Sequence, residues 1–167
     1  LDQGKITLGE EINVVVPTGN FGNILAAYYA KNMGLPIKKL VCASNSNNVL
    51  TDFLKTGEYN KNRQFFTTTS PSMDILISSN LERLLYHISG EDDTLVSKLM
   101  ASLGAEGKYQ VSPELITSIK ELFAAGYCDE NSVDATIKEQ FDKYHYLCDT
   151  HTAVAVKVYE NYVEDTG

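Results

Sequence analysis

Val14-Val15-Val16-Pro17-Thr18-Gly19-Asn20-Phe21-Gly22-Asn23 runs directly into Ile24-Leu25-Ala26-Ala27-Tyr28-Tyr29-Ala30, so a β-branched run meets a helix-forming run through a Gly/Asn turn. A continuous apolar run without polar alternation reads as a strand covered on both faces, which is the habit of parallel sheets. The turn then lies at a helix N-terminus. Unpaired backbone N–H groups and the positive end of the helix dipole there favour an anion, above all a phosphate. Gly19 and Gly22 lack a Cβ, so the backbone can approach a ligand closely or take φ > 0. Asn20 and Asn23 add amides able to donate hydrogen bonds or to cap the helix. A plain strand-turn-helix connection would use the same residue types, and spacing alone leaves the two readings level.

Neither common nucleotide signature fits. A P-loop needs Lys and then Ser or Thr after its second Gly, where this chain has Asn23-Ile24. The dinucleotide fingerprint needs three glycines, and Gly19 and Gly22 supply two at the wrong spacing.

The 167 residues are enough for one domain with a sizeable core. A net charge of −8, with no long run of Lys and Arg, argues against nucleic acid as a partner. No apolar stretch approaches bilayer length, and no charged-then-apolar leader is visible, so no membrane partner is expected. Cys42, Cys128 and Cys148 are few, odd in number and widely spaced, as expected of reduced thiols in a cytoplasmic protein. Leu1 is not a start Met, and the stretch from Gly4 to Gly9 reads as the tail of a preceding element; a piece of a longer polypeptide is expected.

Further along, Ile12 to Val16 is the first predicted strand and Asn23 to Met33 the first helix, closed by Gly34 with Pro36 beyond. Lys39 to Ala43 follows as a second strand, parallel to the first after a right-handed crossover. Val49 to Lys55 is a short helix stopped by Gly57, and Gln64 to Thr68, rich in Phe and Thr, is a predicted third strand. Ser79 to Ile88 returns as a helix. From about Glu91 to Tyr144 apolar residues recur at helical spacing, as in Leu95-Val96-Leu99-Met100-Leu103 and again through Leu115 to Phe123. Ser112-Pro113 supplies a cap and a first helical residue for the second of these runs. Tyr146 to Asp149 is a predicted last strand, and Thr150 caps a closing helix from His151 to Tyr162. The expected architecture is α/β: a parallel Rossmann-like sheet flanked by helices. Residues 1–90 plus 145–167 form its core, and 91–144 a strandless helical insert.

Four stretches, taken together, resemble the threonine synthases: Val16 to Asn23, Ser70-Pro71-Ser72-Met73-Asp74-Ile75, Ser78-Ser79-Asn80-Leu81-Glu82-Arg83, and Asp149-Thr150-His151-Thr152-Ala153-Val154. That family belongs to the fold type II pyridoxal-phosphate enzymes. The resemblance runs in order from about residue 10 to the C-terminus, and residues 91–144 contribute little to it. It implies that the anion is the phosphate of pyridoxal 5′-phosphate, held by Gly19, Asn20, Phe21, Gly22 and Asn23. The family commonly has Asp at the last of these positions. Asn23 keeps the size and the hydrogen-bonding oxygen while removing a negative charge. The implied reaction converts O-phospho-L-homoserine and water to L-threonine and phosphate, with the cofactor as electron sink. The Lys that holds the cofactor as a Schiff base is expected upstream of this chain, because nothing before Val14 matches its context. The polar partner of the pyridine nitrogen is expected beyond Gly167. No catalytic residue is therefore assigned, and the chain alone is expected to be inactive. Two other readings stand beside this one: a non-catalytic Rossmann-like module holding a phosphorylated metabolite, and another fold type II enzyme such as a serine/threonine dehydratase.

Other residues have plainer readings. His145, Cys148 and His151 fall three apart, yet they cross a strand-to-helix junction without an evident fourth ligand, so no metal is assigned. His151 is expected near the cofactor edge. Asp74, Asn80, Glu82 and Arg83 either line the substrate side or, for Glu82 and Arg83, form an ordinary helix-surface pair. Asn45, Asn47 and Asn48 follow a strand on the ligand edge, where turn chemistry explains them equally well.

Overall fold

The computed structural model describes residues 2–167. Its centre is a three-stranded parallel sheet in the order β1-β2-β5, made by β1 (Ile12–Pro17), β2 (Ile37–Ser44) and β5 (Phe123–Tyr127). β2 is central, with Val15 opposite Val41 on one side and Ala124 opposite Val41 on the other. The helix α1 (Gly22–Asn32) makes the crossover from β1 to β2 that two parallel neighbours require.

Alternate residues of the strands feed two separate cores, as the two-residue period of a strand demands. Leu40 and Cys42 face one side, buried with Phe21, Ile24, Leu25, Tyr28 and Phe123. The helices α2 (Val49–Thr56), α3 (Leu81–Ile88) and α5 (Pro113–Leu122) cover that side through Leu50, Phe53, Leu84, Leu85 and Ile119. Val41 and Ala43 face the other side, against Val133 of α6 (Glu130–Tyr144) and Val154 and Val158 of α7 (Thr150–Thr166). The result is three layers, helix on sheet on helix. α4 (Asp93–Glu106) lies against α3 and closes on Gly107 in the left-handed conformation, φ 75°.

Five expectations are corrected. The helical stripe through Leu122-Phe123 ends one residue early, because Phe123 takes extended φ/ψ of −110° and 144° and opens β5. Ala124-Ala125-Gly126 has little intrinsic strand preference, so packing decides it. A Cβ on Gly126 would lie 2.9 Å from Val158 Cγ1, and only a residue without one lets α7 sit this close. Residues 91–144 are thus not a strandless insert. They also supply β4 (Lys108–Gln110), which pairs antiparallel with β3 (Glu58–Asn60) and stacks Tyr109 on Tyr59 at 5.2 Å between ring centroids.

The predicted strand over 64–68 is a loop. Its backbone is taken by side chains instead: Phe66 N–H donates to Asn47 Oδ1 at 2.9 Å, and Thr68 N–H to Asp74 Oδ2 at 2.9 Å. Residues 146–149 likewise form no strand. Thr150 is not the cap of α7; Asp149 is, accepting from the amides of His151 and Thr152. Among the described residues no helix is long and apolar enough to cross a membrane.

Candidate functional site

β1 ends at Pro17, and the chain must turn sharply to enter α1 at Gly22. The turn is anchored at its start, where Thr18 N–H donates to Ala43 O of the neighbouring strand at 2.8 Å. At its end Phe21 takes the left-handed conformation, φ 64° and ψ 9°, with its ring buried in the core. The strain of a non-glycine residue in that region is met by burying the ring against Phe123, with centroids 5.8 Å apart. Sequence reasoning gave the positive φ to the glycines, but neither Gly19 nor Gly22 has one.

Gly19 is needed for another reason. A Cβ there would lie 2.6 Å from Ser72 O and 3.3 Å from Met73 Cα, because the single 3₁₀ turn Pro71–Met73 presses its backbone onto the corner. Between these segments opens a hollow of about 300 Å³, lined by residues 16–24 together with Ser72, Met73 and His151.

Three properties of this hollow favour an anion. Among the described residues, none of the backbone N–H groups from Gly19 to Ile24 donates to a protein acceptor. A left-handed residue followed by helical ones makes a concave nest of such amides, and here it coincides with the positive end of an eleven-residue helix. Finally, among the described residues the wall carries no carboxylate, and His151 is the one ionisable side chain on it. Asn23, where an Asp would add negative charge, lies on this wall.

His151 is held by two partners. Ser72 N–H donates to its Nε2 at 3.3 Å, and its Nδ1 lies 3.3 Å from Asp149 Oδ1. These partners assign the proton of the neutral ring to Nδ1. Hydrogen bonds from Thr152 and His151 hold the Asp149 carboxyl below its usual range, at about 2.

The 3₁₀ turn is itself positioned by a buried polar cluster. Asp74 Oδ1 accepts from Asn45 Nδ2 at 2.8 Å, Asn47 Nδ2 at 2.9 Å and Thr68 Oγ1 at 2.7 Å. Asn45 and Ser70 are fully buried and bonded to each other. Asp74 thus holds the loop together and does not line the hollow, while Asn45 and Asn47 do more than form a turn. Asn48 instead accepts from Arg63 Nη1 at 3.0 Å. Asn80 bonds to the carbonyl of Asn20, and Arg83 bonds to Asn80. Glu82 and Arg83 border a separate crevice between α3 and α4.

Burial pushes the Cys42 thiol up to about 12 and Cys128 up to about 11, so neither is a ready nucleophile. Among the described residues no three His, Cys, Asp or Glu side chains gather as a metal site. Sequence reasoning left Ser72 and Met73 out of the wall, although both stand in the Ser70 to Ile75 stretch it singled out.

No family model matches the chain. It is 46% identical over 166 residues to human threonine synthase-like 1, which covers 99% of this chain and 22% of that protein. It is 41% identical over 160 residues to threonine synthase of Saccharomyces cerevisiae, covering 88% of this chain and 31% of that one. The crystal structure of PLP-bound threonine synthase from Brucella melitensis matches with a TM-score of 0.91 and 42% identity, over 96% of this chain and 34% of that one. The yeast threonine synthase structure also gives 0.91, at 38% identity over 99% of this chain. The chain therefore spans 22% to 34% of the length of the first three of these relatives. Nearly the whole chain takes part in each match, and sequence and fold agree: over the span it covers, it belongs to the threonine synthase family.

Proposed function

We propose that this chain is the segment of a threonine synthase that holds the phosphate of pyridoxal 5′-phosphate, in a lyase acting on O-phospho-L-homoserine. The observation that carries this reading is the row of undonated amides from Gly19 to Ile24, on a hollow without carboxylates. Gly19, Asn20, Phe21, Gly22 and Asn23 are the residues that would hold the phosphate. A doubly charged oxyanion fits this donor set, since each amide offers a hydrogen bond and the helix end a partial positive charge. The cofactor, when bound, supplies an electron sink for charge developing next to the amino group of the substrate.

This chain's own part is binding and orientation. The amides fix one end of the cofactor, and Phe21 ties the cradle to the core so that its position follows that of the sheet. Ser72 and Met73 close a second wall, and His151 joins that wall to α7. The lysine that anchors the cofactor and the group facing its ring nitrogen are proposed to lie outside residues 1–167. The free thiols of Cys42, Cys128 and Cys148 suit a reducing, cytoplasmic setting.

The test is a comparison of pyridoxal 5′-phosphate with pyridoxal in the full-length polypeptide, followed by absorbance and fluorescence. Preference for the phosphorylated form by about a hundredfold or more is expected from several charge-assisted hydrogen bonds. Equal affinities overturn the reading. Release of phosphate and L-threonine from O-phospho-L-homoserine is the expected turnover; 2-oxoacid formation from serine or threonine would identify a dehydratase instead. Binding without turnover of any of these would identify a non-catalytic module.

A further inference from the structure

The free amides of the cradle need a cause for their orientation, because a tight turn can as easily present its carbonyls. We infer that Ser78 and Asn80 are positioning residues that turn the peptides of the cradle so that their N–H groups face the anion; this rests on the phosphate reading above. Ser78 Oγ donates to Gly19 O at 2.9 Å. Asn20 O accepts twice from one residue, from Asn80 Nδ2 at 2.7 Å and from Asn80 N–H at 3.2 Å. A planar trans peptide points its N–H opposite to its C=O. Pulling the carbonyls of Gly19 and Asn20 toward residues 78–80 therefore sends the amides of Asn20 and Phe21 the other way. Residues 78–80 form no part of the hollow's wall, and residues 16–24 do, so the other way is the hollow.

Both grips are themselves held. Ser78 is buried, and its N–H donates to Tyr59 Oη at 2.8 Å, which in turn donates to Leu76 O at 3.1 Å. Asn80 Oδ1 accepts from Arg83 Nη1 one turn along α3, which fixes the amide with its NH₂ toward Asn20. The same bonds leave both carbonyls satisfied, so neither lone pair repels an incoming oxyanion. A residue placed here acts on the ligand through the loop and touches no part of it.

The experiment uses the full-length polypeptide with inorganic phosphate and pyridoxal 5′-phosphate as probes. Ser78→Ala and Asn80→Ala each weaken phosphate binding by about fivefold and together by tenfold or more, as loss of an oriented charge-assisted donor implies. Ser78→Thr, which restores the hydroxyl, recovers most of the Ser78→Ala loss. In the unsubstituted protein, labelled selectively at its phenylalanine amides, phosphate moves the amide proton resonance of Phe21 downfield, identified by its absence in the equally labelled Phe21→Leu. Affinities within twofold of the parent in the double variant, with an unmoved Phe21 amide, would overturn the inference while leaving the anion site intact. No binding of either probe by the parent would instead overturn the phosphate reading, and this inference with it.

Discussion

Replacing Gly19 by Ala tests the packing that shapes the hollow. The added Cβ would stand 2.6 Å from Ser72 O, and ordinary contact begins near 3.4 Å, so the carbonyl must retreat by about 0.8 Å. It cannot swing away as a side chain would. Ser72 N–H is bonded to His151, Met73 N–H to Ser70 O, and the Met73 side chain is buried. Overpacking of this kind costs about 1–3 kcal/mol. Gly19 has no positive φ, so alanine strains nothing else and gains about 0.4–1 kcal/mol by restricting the unfolded chain. The net is a destabilisation of about 1–2 kcal/mol, or a fall in Tm of about 2–8 °C for a domain of this size. Phosphate affinity should fall with it, because Ser72 and Met73 are the opposite wall. Urea denaturation followed by circular dichroism reads the first effect. A Gly19→Ala protein with unchanged midpoint and unchanged phosphate affinity would refute the close-approach argument.

Three other outcomes are expected. Asp74→Ala removes the acceptor shared by Asn45, Asn47 and Thr68, leaving the Thr68 N–H and one N–H of the buried Asn47 amide without a partner; a loss of about 3 kcal/mol and faster proteolysis within residues 63–70 should follow, and a loss below 1 kcal/mol would deny the cluster its role. The Asp149 carboxyl is held at about 2 when folded and titrates near 4 when unfolded, so its contribution is present above about pH 4 and is lost as the pH falls through 2. Asp149→Ala should therefore destabilise the fold by about 1 kcal/mol of cap energy at pH 7, read as a lower Tm, and by much less at pH 2. Burial pushes the Tyr59 hydroxyl up to about 12, so Tyr59→Phe should leave tyrosinate absorbance below pH 11 unchanged; a fall there would show the hydroxyl to be solvated.

The strands that could be read from the sequence were those with their own signal. Val14 to Val16 and Leu40 to Ala43 are apolar runs bounded by turn residues, and both stand in the sheet in the expected order. β5 gave no such signal, because Phe123-Ala124-Ala125-Gly126-Tyr127 is chosen for thinness: Gly126 admits Val158, and its carbonyl accepts from Thr51 Oγ1 at 2.8 Å. A strand selected for what packs on it carries the pattern of its neighbours and little of its own. The error over residues 64–68 has the opposite origin. Phe65, Phe66 and two threonines match strand propensity, yet among the described residues no strand lies alongside, and Asn47 and Asp74 take over the backbone bonds.

The candidate site divides along the same line. A cradle of backbone amides is local, since strand, turn and helix N-terminus lie within twelve consecutive residues, and its anion preference could be read from their order. What sets the geometry of that cradle is not local. The carbonyls of Gly19 and Asn20 are gripped from about sixty residues away, and the opposite wall is locked by His151 from further still. Each of those residues is a serine, an asparagine or a histidine in a stretch whose composition would suit a turn, a cap or a surface. Their function depends on which peptide plane they meet, and that is a property of the packed layers. Backbone-mediated binding therefore gives its location to the local sequence and its precision to the tertiary structure. Substitutions at 78, 80 and 151 should accordingly alter affinity more than they alter the fold.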